Sequence, residues 1–191
     1  IKFRTTTVRY ASTLDRDHRA AFLNQIALDN AQSLRAAIAW CAAHDIGAFR
    51  VQSGLLPLYT HPELGWQLHS DTGKGVVDAL RAAAVEAQHL GVRLSFHPDQ
   101  FVVPGSRNAD VVEASLRELE YMAEVAELIG AEQLTIHGGG AQEGKQASLM
   151  RLQVGLARLS PRARARVALE NDDRVYTVED LLPVCEQLGT P

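Results

Sequence analysis

The stretch "VRLSFHPDQFVV", Val92–Val103, decides the fold. It alternates apolar and polar residues as a half-buried β-strand does, then ends on His97, Pro98 and two polar residues before turning apolar again. A strand that stops on a histidine delivers an imidazole to one edge of a sheet. The segments on either side say what kind of sheet this is.

Upstream, Asp15 to His44 repeats apolar residues at helical spacing (Phe22, Ile26, Leu34, Ile38, Cys41), with Asp15 or Asp17 placed to cap the start. "AFRVQS" then reads as a strand, "GLLPLYTHPELGWQLHSDTG" as a loop, and Lys74 to Leu90 as a helix stopped by Gly91. Downstream of the quoted stretch, Ala109 to Ile129 reads as a long helix with Gly130 at its left-handed cap. "EQLTIH" is a strand, "GGGAQEG" a loop, Lys145 to Leu159 a helix, "ARVALE" a strand and "NDDRVY" its loop. A last helix runs from Thr177 to Leu188 and closes at Gly189. The segment before Asp15 is expected to add at most a short extended arm.

Short strands separated by helices indicate parallel βα units with right-handed crossovers. His97, His137 and Glu170 each end a strand, roughly 40 and roughly 33 residues apart, against a repeat of about 31 in an eight-unit (β/α) barrel. The reading is therefore α/β, a TIM (β/α) barrel, as one domain over residues 1–191. It counts four strands, so the barrel is expected to be incomplete. A doubly wound nucleotide-binding sheet is disfavoured, because no G-x-G-x-x-G follows the first strand. "HGGG" lacks the G-x-S-x-G elbow of an esterase, and "GGGAQEGK" continues with Gln146 where a phosphate loop has Ser or Thr.

A chain of 191 residues with 46% hydrophobic content can bury a sizeable core. It shows neither a signal-peptide pattern nor an apolar run near the ~18 residues of a membrane span, so a soluble, cytoplasmic protein is expected. The net charge of -4 argues against a generic polyanion binder, yet its 19 Lys and Arg leave room for a local basic groove. Cys41 and Cys185 read as reduced, buried thiols.

Two imidazoles and a carboxylate at adjacent strand ends form half of a site for divalent metals, since a carboxylate can bridge two ions. A histidine at a strand end is also often structural, and three together favour ligation. His61, in "YTHPELGW", fits the rim of such a site as a phosphate contact or outer ligand, with a solvent-exposed turn as its alternative. Phe101 either tucks under its loop or, paired with Gln100, wedges into a duplex. Arg107 and Lys145 follow strand-end loops and can meet phosphates. Asn171 is expected to hydrogen-bond ligands from behind them; Asp172 and Asp173 either do the same or cap the next helix.

Taken together, "NAQSLRAAIAWCAAHDIGAFRVQSGLLPL", "SFHPDQFVV", "LTIHGGG" with Lys145 beyond it, and "ALENDD" resemble the UV damage endonuclease family. The start, "FRTTT", is similar to the segment just after that family's first strand. The resemblance implies a barrel of the endonuclease IV and xylose-isomerase-like type, holding up to three divalent ions, usually manganese. It implies incision of double-stranded DNA immediately 5′ of cyclobutane dimers and 6-4 photoproducts, leaving a 3′-hydroxyl. Neither a membrane nor a protein partner is implied. His97, His137 and Glu170 would be metal ligands, with Glu170 bridging; His61 and Glu170 would serve catalysis; Gln100 and Phe101 would probe the lesion, beside Arg107, Lys145 and Asn171 on DNA.

This chain departs from the family pattern in two places. "RVQSG" stands where the family has an R-x-S-S-D-like run, and Phe101 where a tyrosine is common. The family's first strand and last three, with their ligands, would lie outside these 191 residues, which alone are expected to be largely inactive. A sugar isomerase of the same barrel class and a non-enzymatic barrel fragment are the competing readings.

Overall fold

The computed structural model describes residues 1–70, 73–172 and 174–190. They fall into two compact units, one of Ile1–Ser95 with Val125–Glu132 and one of Phe96–Glu124 with Gln133–Pro191.

In the first unit, Asp15 accepts from the backbone N–H groups of Asp17 and His18 and starts helix α2, Arg16–Ala43. Its apolar face, Leu23, Ile26, Leu34 and Ile38, is fully buried, and it packs against α3, Lys74–His89. Between them in the chain lie strand β1, Ala48–Gln52, and a single helical turn at Ser53–Leu55. Strand β2, Arg93–His97, follows α3.

Before Asp15 the structure corrects the expected extended arm. Val8–Ala11 forms a helical turn, α1, which Thr7 caps by accepting from the Tyr10 N–H. The start of the chain is tied down by one polar side chain in the core. Asn30, fully buried, accepts from Arg4 N and donates to the carbonyls of Arg4 and Leu55.

Helix α4, Ala109–Ile129, has the expected limits, and Gly130 behind it adopts φ of 70°. Strand β3 is Gln133–His137, and α5 is Lys145–Ala157. Helix α5 ends two residues before the expected Leu159, because Ser160 and Pro161 start a separate turn, α6, Pro161–Arg164. Ser160 caps that turn, and Pro161 stands at a first position whose N–H has no partner within the helix anyway. Strand β4, Val167–Glu170, leads to α7, Val178–Leu188, which begins with a Thr177–Asp180 capping box and ends on left-handed Gly189.

The strands lie in the order β1-β2-β3-β4. Strand β3 pairs with β4 in parallel, Leu134 opposite Val167 and His137 opposite Glu170. In the second unit, Leu149, Tyr176, Leu181 and Val184 form a core cluster joined by Leu169 and Leu188. Both cysteines are free, Cys41 buried and Cys185 partly so. None of the described helices is long and apolar enough to cross a membrane.

Asn30→Leu fills nearly the same volume but leaves the buried Leu55 carbonyl and the part-buried N–H and carbonyl of Arg4 without their partner, at about 1 kcal/mol each. Denaturant unfolding is expected to show a loss of roughly 2–4 kcal/mol, and a loss under about 0.5 would refute the role given to Asn30.

Candidate metal centre

The β3–β4 register fixes the site. Both strands run the same way, and each ends on a polar residue, so His137 and Glu170 leave the sheet side by side. His97, the last residue of β2, joins them. His97 Nε2 lies 2.9 Å from Glu170 Oε2, and His137 Nδ1 lies 3.6 Å from the same oxygen. The two rings meet edge to face with centroids 4.9 Å apart. Among the described residues these are the only three His, Cys, Asp or Glu side chains gathered tightly enough to hold one ion, with their ligand atoms all within 4.8 Å of one another. Ligand atoms about 2.0–2.2 Å from one ion stand about 3–3.5 Å apart in tetrahedral or octahedral arrangement, so the two measured spacings suit a shared cation.

Proton placement leaves His97 Nε2 able to ligate. His97 Nδ1 is 3.0 Å from the Pro98 carbonyl, an acceptor only, so Nδ1 carries a hydrogen. In a neutral ring Nε2 then presents its lone pair to the Glu170 carboxylate, and two lone pairs facing each other at 2.9 Å require a positive charge between them. A proton on Nε2 or a metal cation provides it. A backbone carbonyl that fixes the tautomer is also the usual support behind a metal-ligating histidine.

The loops around the site are close-packed. After His137, a side chain at Gly138 would meet the Tyr176 ring at 2.8 Å. Tyr176 is fully buried and donates its hydroxyl proton to the Gly140 carbonyl. The "HGGG" turn is thus shaped by an aromatic ring from the next loop. That loop is folded by Asp172, whose carboxylate accepts from the backbone N–H groups of Arg174, Val175 and Tyr176. Those N–H groups, Val175 first, hold the Asp172 carboxyl below its ordinary range. Asp172 therefore organises its own loop, while Thr177 and Asp180 cap α7; Asp173 lies outside the described residues.

The remaining expected residues have defined settings. Gln100 is exposed, and Phe101 is 76% exposed, which removes the alternative of a phenylalanine tucked beneath its loop. Arg107 pairs with Glu143 at 3.1 Å, and Lys145 with Asp180 at 2.6 Å. Asn171 is exposed. His61 lies in the first unit, where its Nδ1 accepts from the N–H groups of Glu63 and Leu64. The proton of a neutral ring must then sit on Nε2, so His61 is built to donate a hydrogen bond there and not to ligate. Tyr176, and Glu143 and Asp180 as partners of the basic residues, were missed by sequence reasoning. The one available signal was the Thr177-x-x-Asp180 capping pattern.

A family model described as UV-endonuclease UvdE matches residues 1–191. The chain belongs to this family. Its relatives include a UV DNA damage endonuclease of Deinococcus radiodurans, 36% identical over 200 residues, covering 100% of this chain and 62% of that protein. A UV-damage endonuclease of Neurospora crassa is 37% identical over 177 residues, covering 89% of this chain and 26% of that protein. The crystal structure of SacUVDE superposes with a TM-score of 0.82 at 30% identity, over 98% of this chain and 62% of that one. Endonuclease IV from Thermus thermophilus, with a TM-score of 0.52 at 19% identity over 80% of this chain and 54% of that one, shares the fold alone. The chain thus spans less than two thirds of the relatives it matches. The expected α/β architecture with a parallel sheet, of the TIM-barrel-like kind seen in both solved structures, is present, and the sugar-isomerase reading loses its ground with family membership.

Asp180 supplies a pH test of the second unit. Its carboxyl is held below its ordinary value of 3.8, first by the hydrogen bond from Lys145 and then by that from Thr177 N. A carboxyl whose folded pKa is depressed contributes stability above its unfolded pKa, and that stability is lost as pH falls through the folded value. The gap in thermal midpoint between the wild type and Asp180→Asn is therefore expected to be full at about pH 6 and to close below about pH 4. A gap that persists unchanged at about pH 2 would contradict this.

Proposed function

We propose that this chain is the metal-binding and lesion-probing part of a UV damage endonuclease, acting on double-stranded DNA that carries UV photoproducts. The observation that carries the reading is the convergence of His97 Nε2, His137 Nδ1 and Glu170 Oε2 at three strand ends, in a member of the UV-endonuclease family.

The donor set suits a divalent ion. Two imidazoles and a carboxylate accept manganese as well as zinc or iron, and manganese is our assignment. His97 and His137 would hold the ion with Glu170, whose carboxylate has a second oxygen with which to bridge to another. When bound, such ions offset the charge that develops on a phosphate during in-line displacement and make water more acidic.

The chain's own groups do the rest. The Pro98 carbonyl keeps the His97 proton on Nδ1 and so keeps Nε2 free to ligate. His61 would carry its proton on Nε2, where it can hydrogen-bond a phosphate oxygen of the DNA. Arg107 and Lys145 stand at the ends of loops as contacts for neighbouring phosphates, with Asn171 beside Glu170. Phe101 presents a bare aromatic face with Gln100 next to it, to fill the gap left when damaged bases leave the stack. Photoproducts pair and stack badly, so extruding them costs less than extruding normal bases, and selectivity follows.

Two measurements test the proposal. The 191-residue chain is expected to bind Mn2+ in calorimetric titration, and His97→Ala, His137→Ala and Glu170→Ala are each expected to weaken binding at least about tenfold. Three protein ligands are fewer than a pair of ions normally shares, so the chain alone is expected to nick DNA poorly. In a chimera with residues 1–191 replacing the aligned span of the Deinococcus radiodurans relative, Mn2+-dependent nicking 5′ of a photodimer is expected. His97→Ala and Glu170→Ala should each slow it about 100-fold or more. Undiminished nicking by both variants would remove the site assignment.

A further inference from the structure

Phe101 is an apolar side chain held 76% in solvent, and the loop that carries it does not collapse onto the protein. The reason lies in how the loop is anchored. Inside it, Asp99 accepts from Phe101 N at its side chain and from Val102 N at its carbonyl, and Ser106 N donates to Val103 O. Val103 N donates to the hydroxyl of Ser115, a buried serine on α4 whose own proton goes to Val111 O.

The far side of the loop rests on α5. A Cβ on Gly155 would stand 2.1 Å from the Pro104 carbonyl oxygen, so loop and helix touch backbone to backbone. Four residues earlier on the same helix, Arg151 spreads its guanidinium over three partners. Nε donates to Gly105 O at 3.3 Å, Nη2 to Ser148 Oγ at 3.0 Å, and Nη1 to Glu143 Oε2 at 3.0 Å. The other oxygen of Glu143 receives Arg107. One planar fork thereby joins the loop after β2, the loop after β3 and the helix that leads away from it, a task suited to arginine and not to the point charge of lysine.

We infer that Arg151 is a positioning residue for lesion recognition. Together with Glu143 and the Gly155 contact, it holds the Gln100–Phe101 tip rigid and outward before DNA arrives. The inference rests on the reading of that tip as the part that enters the duplex. A loop already ordered loses little further freedom on binding, whereas a slack one would have to be ordered at the expense of affinity. Because α5 follows the strand that ends on His137, the same helix sets the tip and continues from the metal ligand.

Hydrogen exchange of the 191-residue chain without DNA tests the anchoring directly. Arg151→Ala is expected to speed exchange at the Val102, Val103 and Ser106 amides about fivefold or more while leaving Leu134–Ile136 of β3 at the wild-type rate. Arg151→Lys, which keeps the charge but not the three-way fork, should fall between the two. Gly155→Ala, which pushes on the loop from the helix side, should accelerate the same amides. Loop exchange unchanged in Arg151→Ala, or accelerated equally in β3, would overturn the inference. In a second arm, the ratio of affinities for UV-irradiated over unirradiated duplex should fall at least about fivefold in Arg151→Ala. If the wild type itself shows no preference for irradiated DNA, the lesion-probing reading fails, and the exchange data still decide whether Arg151 anchors the loop.

Discussion

The parallel register that sets His137 opposite Glu170 is the constraint on which the chemistry of this chain depends. Neighbouring strands lie about 4.8 Å apart, so paired terminal residues must share one edge of the sheet. A slip of β4 by one residue would send Glu170 to the face opposite His137. Once they are fixed, His97 Nε2 at 2.9 Å completes a cluster in which three electron-rich atoms crowd together. Such an arrangement is unfavourable unless a proton or cation sits among them. The loops that dress the cluster serve the same end: Tyr176 shapes the turn after His137, and Asp172 folds the turn after Glu170.

The basic side chains proposed to meet phosphates are not bare. Arg107 and Lys145 each hold an acid, Glu143 and Asp180, and Arg158 holds Glu113. In a protein of net charge -4 this looks at first like an argument against DNA. Exposed ion pairs, however, are worth only about 0–1 kcal/mol and weaken with salt, so a phosphate can take over the cation at little cost. The pairs keep the long side chains extended in defined directions, and the carboxylates discourage undirected polyanion binding. On the proposed function, selectivity for a distorted duplex would be better served by such a surface than by an open basic patch.

Much of the fold was legible because its signals are local. The α4 boundaries reflect apolar periodicity closed by Gly130, and the ends of α7 are set by Thr177 and Gly189, where capping chemistry leaves few alternatives. The α5 end was misplaced because Ser160-Pro161 can read equally as the tail of one helix or the start of another turn, and only packing decides. The arm before Asp15 became a turn through Thr7, a cap too short in sequence to stand out. His97, His137 and Glu170 were visible from strand arithmetic and from the family's motifs. The partners Glu143, Asp180 and Tyr176 were not, since each meets its contact across a separation of 35 residues or more. Sequence patterns carry period and caps; they do not carry which side chains meet when loops fold back.

On the proposed function, the exposed phenylalanine would bring these constraints to the substrate. Burying a side chain of this size contributes roughly 1.5–3 kcal/mol, most of which Phe101 forgoes in the free protein. Its backbone is nevertheless bonded at Asp99, and the loop behind it is held by Ser115, Arg151 and Gly155. A loop free to rearrange would bring the ring down against the surface. One braced to keep it out retains apolar area for something that arrives later, and the face of a base supplies about 1–3 kcal/mol of stacking in return. Phenylalanine has no hydroxyl to hydrogen-bond, so in the proposed role its contribution would rest on shape and stacking alone, and for a group with no polar anchor of its own, the rigidity of the backbone beneath it would set where it enters.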